Sequence, residues 1–136
     1  MILIDSNVLM YAAGASHQHK AACVTLLERV ATGDVEAALD AEVLQEILHR
    51  YRAIGRWESG RAVFDLARRI IPTVYPITAE TLDLARSLLD RYPRLAARDA
   101  LHAAVCQEGG FDGICSLDRD FDQIRGLKRL EPSHFR

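Results

Sequence analysis

Short apolar runs alternate with amphipathic segments along the chain. The first run, Ile2-Leu3-Ile4, ends directly at Asp5 and is typical of a buried strand. Later runs of similar length predict further strands at 35–39, 74–77, 113–117 and 127–130. Short apolar strands separated by helical patterns predict an α/β fold with a mainly parallel central sheet.

The segments between the strands carry helix signals. Asp40 is the predicted cap of a helix whose apolar stripe consists of Val43, Leu44, Ile47, Leu48 and Tyr51. Thr78 is the predicted cap of a later helix, and Gly109-Gly110 ends the last long one. We predict helices at 17–31, 59–71, 79–90 and 98–108, a helical turn at 120–124, and a helix cap at Ser6 or Asn7.

Length and composition indicate one ordinary globular domain over residues 1–136. Hydrophobic residues make up 49% of the chain and charged residues 26%, which argues against disorder. No apolar run approaches the ~18 residues of a membrane span, and the N-terminus lacks the basic start of a signal peptide. The three cysteines show no CxxC spacing. We therefore expect a reduced, cytoplasmic chain without a disulfide framework or a zinc site.

The charge is small overall but unevenly distributed. The formal net charge is −2, which argues against a general nucleic-acid coat protein. The segment from Arg50 to Arg69, however, contains six arginines and two acids, and the segment from Asp112 to Asp122 contains four aspartates and one arginine. The basic segment could flank a functional cavity, supply a protein-binding surface or form a solvated helix face.

Four acidic residues occupy positions that a parallel α/β fold would bring together. Asp5 and Asp118 directly follow predicted strands, and the working sites of such sheets lie at the carboxyl ends of the strands. Asp99 lies in the first turn of the helix at 98–108, which must begin at that same edge if it runs back beside the sheet. Glu46 lies one turn into its helix, beside the apolar stripe, where its side chain can lean over the sheet edge.

Each of these acids also has a local explanation. Asp5 and Asp99 could satisfy free N–H groups at helix starts, and Asp118 could shape a turn. Glu46 could pair with Arg50 four residues further along its helix. A cluster of these carboxylates needs protons or a cation to offset its charge, because carboxylates ~4 Å apart repel by about 4 kcal/mol per pair at an effective dielectric constant of ~20. Oxygen ligands without His or Cys suit Mg²⁺ or Mn²⁺.

A metal held by carboxylates favours phosphoryl chemistry. Such a metal polarises a phosphodiester and lowers the pKa of a bound water that attacks in line. Glu46 or Asp118 could orient that water, and Ser116 could donate a hydrogen bond to a ligating carboxylate. We expect His102, one turn beyond Asp99, to pack or cap rather than to bind metal.

Other phosphate-handling folds lack their motifs in this chain. There is no GxxxxGK[ST] loop and no HExxH sequence. A phosphoacceptor receiver domain needs an acidic pair after the first strand, whereas Asp5 is followed by Ser6. A haloacid-dehalogenase-type phosphatase needs the motif DxD, and here the third residue is Asn7.

Four segments, distributed over nearly the whole chain and in the family's order, resemble the PIN domain. More narrowly, they resemble VapC-type toxins of bacterial toxin–antitoxin pairs. The segments are residues 2–9 (ILIDSNVL), 43–47 (VLQEI), 98–104 (RDALHAA) and 116–121 (SLDRDF). The resemblance implies a three-layer α/β/α sandwich and a Mg²⁺- or Mn²⁺-dependent endoribonuclease. It places the catalytic acids on Asp5, Glu46, Asp99 and Asp118, with metal ligation at Asp5 and Asp99. It also implies an RNA substrate, a homodimer and a cognate antitoxin that blocks the site.

The chain departs from the family pattern at two motifs. The fourth motif opens with Ser116 in place of the usual Thr, and Asp120 and Asp122 lie close to Asp118. The second motif has Asp40 where Ser is frequent, and we expect Asp40 to cap its helix. The alternative to an active enzyme is a catalytically inactive PIN-like module that only binds a partner.

Overall fold

The central sheet is parallel throughout. The computed structural model describes residues 1–135, and within them the sheet has five strands in the order β3-β2-β1-β4-β5. The strands are β1 (Ile2–Ile4), β2 (Ala37–Asp40), β3 (Val74–Tyr75), β4 (Gly113–Cys115) and β5 (Arg129–Leu130). Strand β1 pairs with β2 through Leu3 opposite Ala38 and with β4 through Leu3 opposite Ile114.

Helices connect all but the last pair of strands. They are α1 (Ser6–Ala13), α2 (Lys20–Ala31), α3 (Ala41–Ala53), α4 (Trp57–Ile70), α5 (Ala79–Arg91) and α6 (Ala97–Gly109). Two short 3₁₀ segments follow at Arg119–Gln123 and Pro132–Phe135. The caps at Asp40 and Thr78 are confirmed, since their side chains accept hydrogen bonds from Val43 N and Thr81 N.

The side chains of β1 alternate between two apolar cores, one on each face of the sheet. Ile2 and Ile4 pack with apolar residues of α1 to α4, whereas Leu3 packs with those of α5 and α6. Burial on both faces explains why β1 is apolar at every position. The predicted three-layer α/β/α sandwich with a mainly parallel sheet is confirmed.

Several predicted boundaries were wrong by a few residues. The first helix is capped by Asp5, not by Ser6 or Asn7, because the Asp5 carboxylate accepts from Ser6 N and the helix already begins at Ser6. Strand β4 ends at Cys115 rather than at residue 117, so Asp118 does not follow it directly. Helix α2 begins at Lys20, leaving His17 and His19 in the preceding loop.

Helices α3 and α4 approach each other closely at Gly60. A Cβ atom built on Gly60 would lie inside the contact distance of Tyr51 Cβ. The absence of a side chain at Gly60 therefore lets the α4 backbone pack directly on the Tyr51 side chain.

All three cysteines are buried thiols. Cys23 and Cys115 lie in the core that packs with α1 to α4, and Cys106 lies in the core of α5 and α6. Burial raises the pKa of Cys23 to about 11 and that of Cys106 to about 12. These cysteines behave as small apolar side chains.

No helix among residues 1–135 combines the length and the apolar character needed to cross a bilayer.

Candidate active site

The candidate site residues lie at the point of the sheet where the strand order reverses. In the order β3-β2-β1-β4-β5 the chain moves outward from β1 in both directions, so β1 and β4 flank the switch point. Ligands of open α/β sheets bind in the crevice at the carboxyl ends of the strands at such a point. Asp5 follows β1 directly, and Ser116 follows β4 directly.

Asp5 is held by hydrogen bonds from both strand ends. Its Oδ2 accepts from Ser116 Oγ at 2.7 Å, and its Oδ1 accepts from Ser6 N at 2.7 Å. Ser116 Oγ in turn accepts from Asp118 N at 3.0 Å, so one hydroxyl fixes both the Asp5 carboxylate and the loop that carries Asp118. Burial raises the pKa of Asp5 despite the charge of His102 and the Ser116 hydrogen bond.

Glu46 lies one turn into α3 and its side chain is buried at the sheet edge. Its Oε1 lies 2.7 Å from His102 Nε2, and its Oε2 accepts a hydrogen bond from Ser6 Oγ. Burial opposes ionisation, but the hydrogen bond and charge of His102 outweigh it, so the pKa of Glu46 is lowered. Glu46 is therefore an ionised carboxylate with a fixed orientation.

The buried side chain of His102 forms hydrogen bonds with two acidic side chains. Its Nδ1 lies 2.7 Å from Asp40 Oδ2 while its Nε2 contacts Glu46, and the residue is 0% exposed. Both nitrogens face carboxylate oxygens, which requires both to donate, as only the imidazolium form does. Burial disfavours that charge, but the two hydrogen bonds and the charges of Asp40 and Asp5 raise the pKa of His102 well above 6.5.

A second acidic cluster lies beside the first. Asp99, Asp118 and Asp120 each offer a carboxylate oxygen within 4.8 Å of the others. Partial burial, together with the negative charges of Asp118 and Asp5, raises the pKa of Asp99 to about 6. Asp118 Oδ1 also accepts from Asp120 N at 2.9 Å, which orders the 3₁₀ segment.

The structure thus divides the four predicted acids between two neighbouring clusters. One consists of Asp5, Glu46 and His102, and the other of Asp99, Asp118 and Asp120. Asp122 is not part of either, because its carboxylate pairs with the guanidinium of Arg129 at 2.9 Å. The catalytic roles of Asp5, Glu46, Asp99 and Asp118, and metal binding by Asp5 and Asp99, stay predictions.

The expectation that His102 only packs or caps was incomplete. The sequence offers one signal for its role, since His102 lies one turn beyond Asp99 and so on the same helix face. Its partners are 56 and 62 residues away in the chain, and only the packing of α6 against α3 brings them together. Asp40 caps α3, as predicted, and its carboxylate also forms a hydrogen bond with His102 Nδ1.

A cavity of about 540 Å³ opens beside Glu46. Its lining includes Ser6 and Asn7 near the acids, the rings of Tyr11, His17 and Tyr51, and the side chains of Arg50 and Arg98. The other arginines between Arg50 and Arg69 do not line this cavity. Arg52 lies over the Trp57 ring at 4.8 Å, Arg56 lines a different cavity, and Arg61, Arg68 and Arg69 are exposed on α4.

The donor set fits a hard divalent cation. The acidic clusters supply carboxylate oxygens without thiolates, and Asp99 and Asp118 form no ion pair within 4.0 Å in the described part of the chain. A bound cation would offset the repulsion that raises the Asp99 pKa. His102 is not an available ligand, because both of its ring nitrogens are engaged by carboxylates.

A family sequence model and a known relative each match nearly the whole chain. The sequence model of the PIN domain matches residues 2–127. Ribonuclease VapC13 of Mycobacterium tuberculosis strain H37Rv is 47% identical over 130 residues, which cover 96% of this chain and 99% of that protein.

Two solved structures share the fold at low sequence identity. Mycobacterium tuberculosis VapC20, described as a sarcin-ricin loop cleaving toxin, superposes with a TM-score of 0.78 at 19% identity and covers 97% of this chain and 100% of its own. A toxin–antitoxin complex from Klebsiella pneumoniae superposes with a TM-score of 0.69 at 16% identity, covering 97% and 98% respectively.

Proposed function

This chain belongs to the PIN domain family, and we propose that it is a metal-dependent endoribonuclease that acts as the toxin of a toxin–antitoxin pair. The observation that carries the proposal is the cluster of Asp99, Asp118 and Asp120 beside buried Asp5 at the switch point of the sheet. The near full-length similarity to a VapC ribonuclease supports the substrate class.

Asp5, Asp99 and Asp118 would hold Mg²⁺ or Mn²⁺. The metal supplies Lewis acidity toward a phosphodiester oxygen and lowers the pKa of a water nucleophile. Ser116 keeps the Asp5 carboxylate in place and supports the Asp118 backbone. Asp120 is close enough to contribute to the same cation.

Glu46 would orient the attacking water. Its two oxygens are occupied by one hydrogen bond each, from His102 and Ser6, and each oxygen retains a lone pair. Glu46 also lines the cavity, so a water bound there can be held on the substrate side. His102 would keep this carboxylate ionised and fixed throughout.

The partners follow from the same assignment. A toxin of this kind acts on RNA and is restrained by a cognate antitoxin, and one structural neighbour is a toxin–antitoxin complex. An antitoxin that presents a basic side chain would complement the acidic clusters electrostatically. We also propose that the chain forms a homodimer.

Metal-dependent cleavage tests the proposal directly. Purified protein freed of any co-purifying partner would be incubated with total RNA in Mg²⁺ or Mn²⁺, and in parallel with EDTA. Asp99→Asn is expected to abolish cleavage, whereas Asp122→Asn should retain it, because Asp122 is ion-paired with Arg129 outside both clusters. Cleavage that persists in EDTA or in Asp99→Asn would refute the assignment. No cleavage by folded, metal-loaded protein, on total RNA or on a panel of structured RNAs, would favour the inactive partner-binding module.

A further inference from the structure

We propose that Arg129 is a positioning residue for the candidate metal site, because its guanidinium group holds the Ser116 carbonyl and so fixes the loop that carries Asp118. This inference rests on the proposed ribonuclease function and concerns a residue outside both acidic clusters. Arg129 lies on β5, the edge strand of the sheet, and its side chain is 10% exposed.

The hydrogen-bond ladder between β4 and β5 lacks a backbone donor where it reaches the site. In a parallel pair, a residue that donates to one carbonyl of the neighbouring strand accepts from the amide two positions later on that strand. Ser116 N donates to Leu130 O at 3.0 Å, so the amide that would reach the Ser116 carbonyl belongs to residue 132. Residue 132 is proline, which has no N–H. The carbonyl of the buried Ser116 therefore needs a donor from elsewhere.

The guanidinium group of Arg129 supplies that donor. Its Nη1 lies 3.1 Å from the Ser116 carbonyl oxygen. Its Nε and Nη2 donate to the two carboxylate oxygens of Asp122 at 2.9 and 3.3 Å, and Nη1 also lies 3.3 Å from Glu131 Oε1. A planar guanidinium group bound to a carboxylate through two parallel hydrogen bonds has a fixed orientation. One side chain thus joins β5, the residue that follows β4, and the 3₁₀ segment.

The Ser116 backbone in turn sets the position of two acids of the candidate site. The Ser116 hydroxyl donates to Asp5 Oδ2 at 2.7 Å and accepts from Asp118 N at 3.0 Å. A shift of the Ser116 main chain would move this hydroxyl away from both groups. Groups that orient metal ligands contribute to metal affinity although they do not touch the ion. Arg129 would act in this way, through Ser116.

The charge of Arg129 alone predicts the opposite effect on metal binding. A guanidinium group repels a divalent cation, so its removal should strengthen metal binding if only its charge mattered. Loss of a positioning contact should weaken metal binding instead. The direction of the change in metal affinity therefore separates positioning from electrostatics.

Binding of Mn²⁺ tests the proposal without RNA. The unmutated protein and three variants, Arg129→Met, Asp122→Asn and Lys128→Met, would be titrated with Mn²⁺, and the electron paramagnetic resonance signal of free Mn²⁺ would give each Kd. Asp122→Asn keeps an acceptor oxygen for Arg129 Nε and leaves the contact with Ser116 in place. Lys128→Met is the matched control, because it removes one positive charge at the adjacent, exposed position.

Arg129→Met should raise the Kd for Mn²⁺ about 10-fold, whereas Asp122→Asn and Lys128→Met should bind Mn²⁺ like the unmutated protein. Amide hydrogen exchange, measured by NMR without metal, is a second readout. The Asp118 amide, which donates to Ser116 Oγ, should exchange faster in Arg129→Met and at an unchanged rate in Lys128→Met. If Arg129→Met does not fold, Arg129→Gln provides the same test, because its side chain is too short to replace the guanidinium group.

Unchanged or tighter Mn²⁺ binding by Arg129→Met, or an unchanged exchange rate of the Asp118 amide, would overturn the positioning role. Equal weakening by Arg129→Met and Lys128→Met would also overturn it, since a general effect of charge would then explain both. Failure of the ribonuclease proposal gives a different result. The unmutated protein would then not bind Mn²⁺, or would not cleave RNA in its presence, while exchange of the Asp118 amide still depends on Arg129.

Discussion

A carboxylate oxygen of Asp99 lies within 4.8 Å of one of Asp118, and no basic side chain pairs with either within 4.0 Å across residues 1–135. Two like charges at this distance destabilise the folded state. Partial burial, and after it the charge of Asp118, raise the pKa of Asp99 to about 6. This arrangement has measurable consequences both with and without metal.

In metal-free protein, Asp99→Asn should increase the free energy of unfolding at pH 7 by about 1–2 kcal/mol after allowance for solvent screening. The pKa of Asp99 is about 6 in the folded state and 3.8 in the unfolded reference, so the folded state binds more protons between these values. The parent should therefore lose stability as the pH rises from about 4 to 6, and Asp99→Asn should lose less. Urea unfolding in EDTA at several pH values measures the difference.

The matched control for that experiment is Asp122→Asn. The pKa of Asp122 is lowered by its hydrogen bond to Arg129, so neutralising it should weaken rather than strengthen the fold at pH 7. Destabilisation by both variants would contradict the electrostatic explanation for Asp99.

Divalent metal should reverse the order of stability. A cation that binds only the folded state stabilises it by about 2.7 kcal/mol at a concentration 100 times its Kd. We expect Mg²⁺ or Mn²⁺ to raise the melting temperature of the parent and of Asp122→Asn, and to have little effect on Asp99→Asn or Asp118→Asn. Equal metal-induced shifts in all four proteins would place the cation elsewhere.

Asp40→Asn should destabilise the protein by about 2–4 kcal/mol at pH 7, because it leaves the buried His102 imidazolium with one carboxylate partner fewer. The asparagine side-chain oxygen can still accept from Val43 N, so the loss would not be a capping effect. Glu42→Gln on the same first turn is the control. Burial and nearby acids raise the pKa of Glu42, and its neutralisation should cost nothing at pH 7. Denaturant unfolding of both variants distinguishes a buried ion pair from general helix effects.

Gly60→Ala should destabilise the fold by about 1–3 kcal/mol, although the same change in an exposed helix stabilises by roughly 1 kcal/mol. The reversed sign follows from the contact of the new methyl group with Tyr51. Ser59→Ala, one residue earlier and exposed, should be neutral or slightly stabilising. A Gly60→Ala protein as stable as the parent would show that α3 and α4 can separate at little cost.

The parts of the fold that were predictable are those set by local pattern. Ile2-Leu3-Ile4 is apolar at every position because both faces of β1 are covered, and the following acid marks the strand end. The same two-sided burial removes the alternation that would locate strand ends, so β2 was predicted at 35–39 and lies at Ala37–Asp40. Asp40 and Thr78 were recognised as caps because a cap acts on residues three positions away.

The parts that were not predictable depend on packing between distant elements. The contacts of His102 with Asp40 and Glu46 need α6 to lie against α3 in one register. The hydrogen bonds that Ser116 and Ser6 make to Asp5 and Glu46 also join distant parts of the chain, and serine is too common a residue for the sequence to single them out. Arg50 and Arg98 line the same cavity because α3 and α6 carry them to it from distant parts of the chain.

The burial of Cys23, Cys106 and Cys115 has a practical value for spectroscopy. Their raised pKa values leave almost no thiolate at neutral pH, so maleimide reagents should not label the native fold. Ser16 is exposed and lines the cavity beside Glu46, and Ser16→Cys would create a single reactive thiol there. A fluorophore attached at that position would report on occupancy of the cavity without replacing any native cysteine.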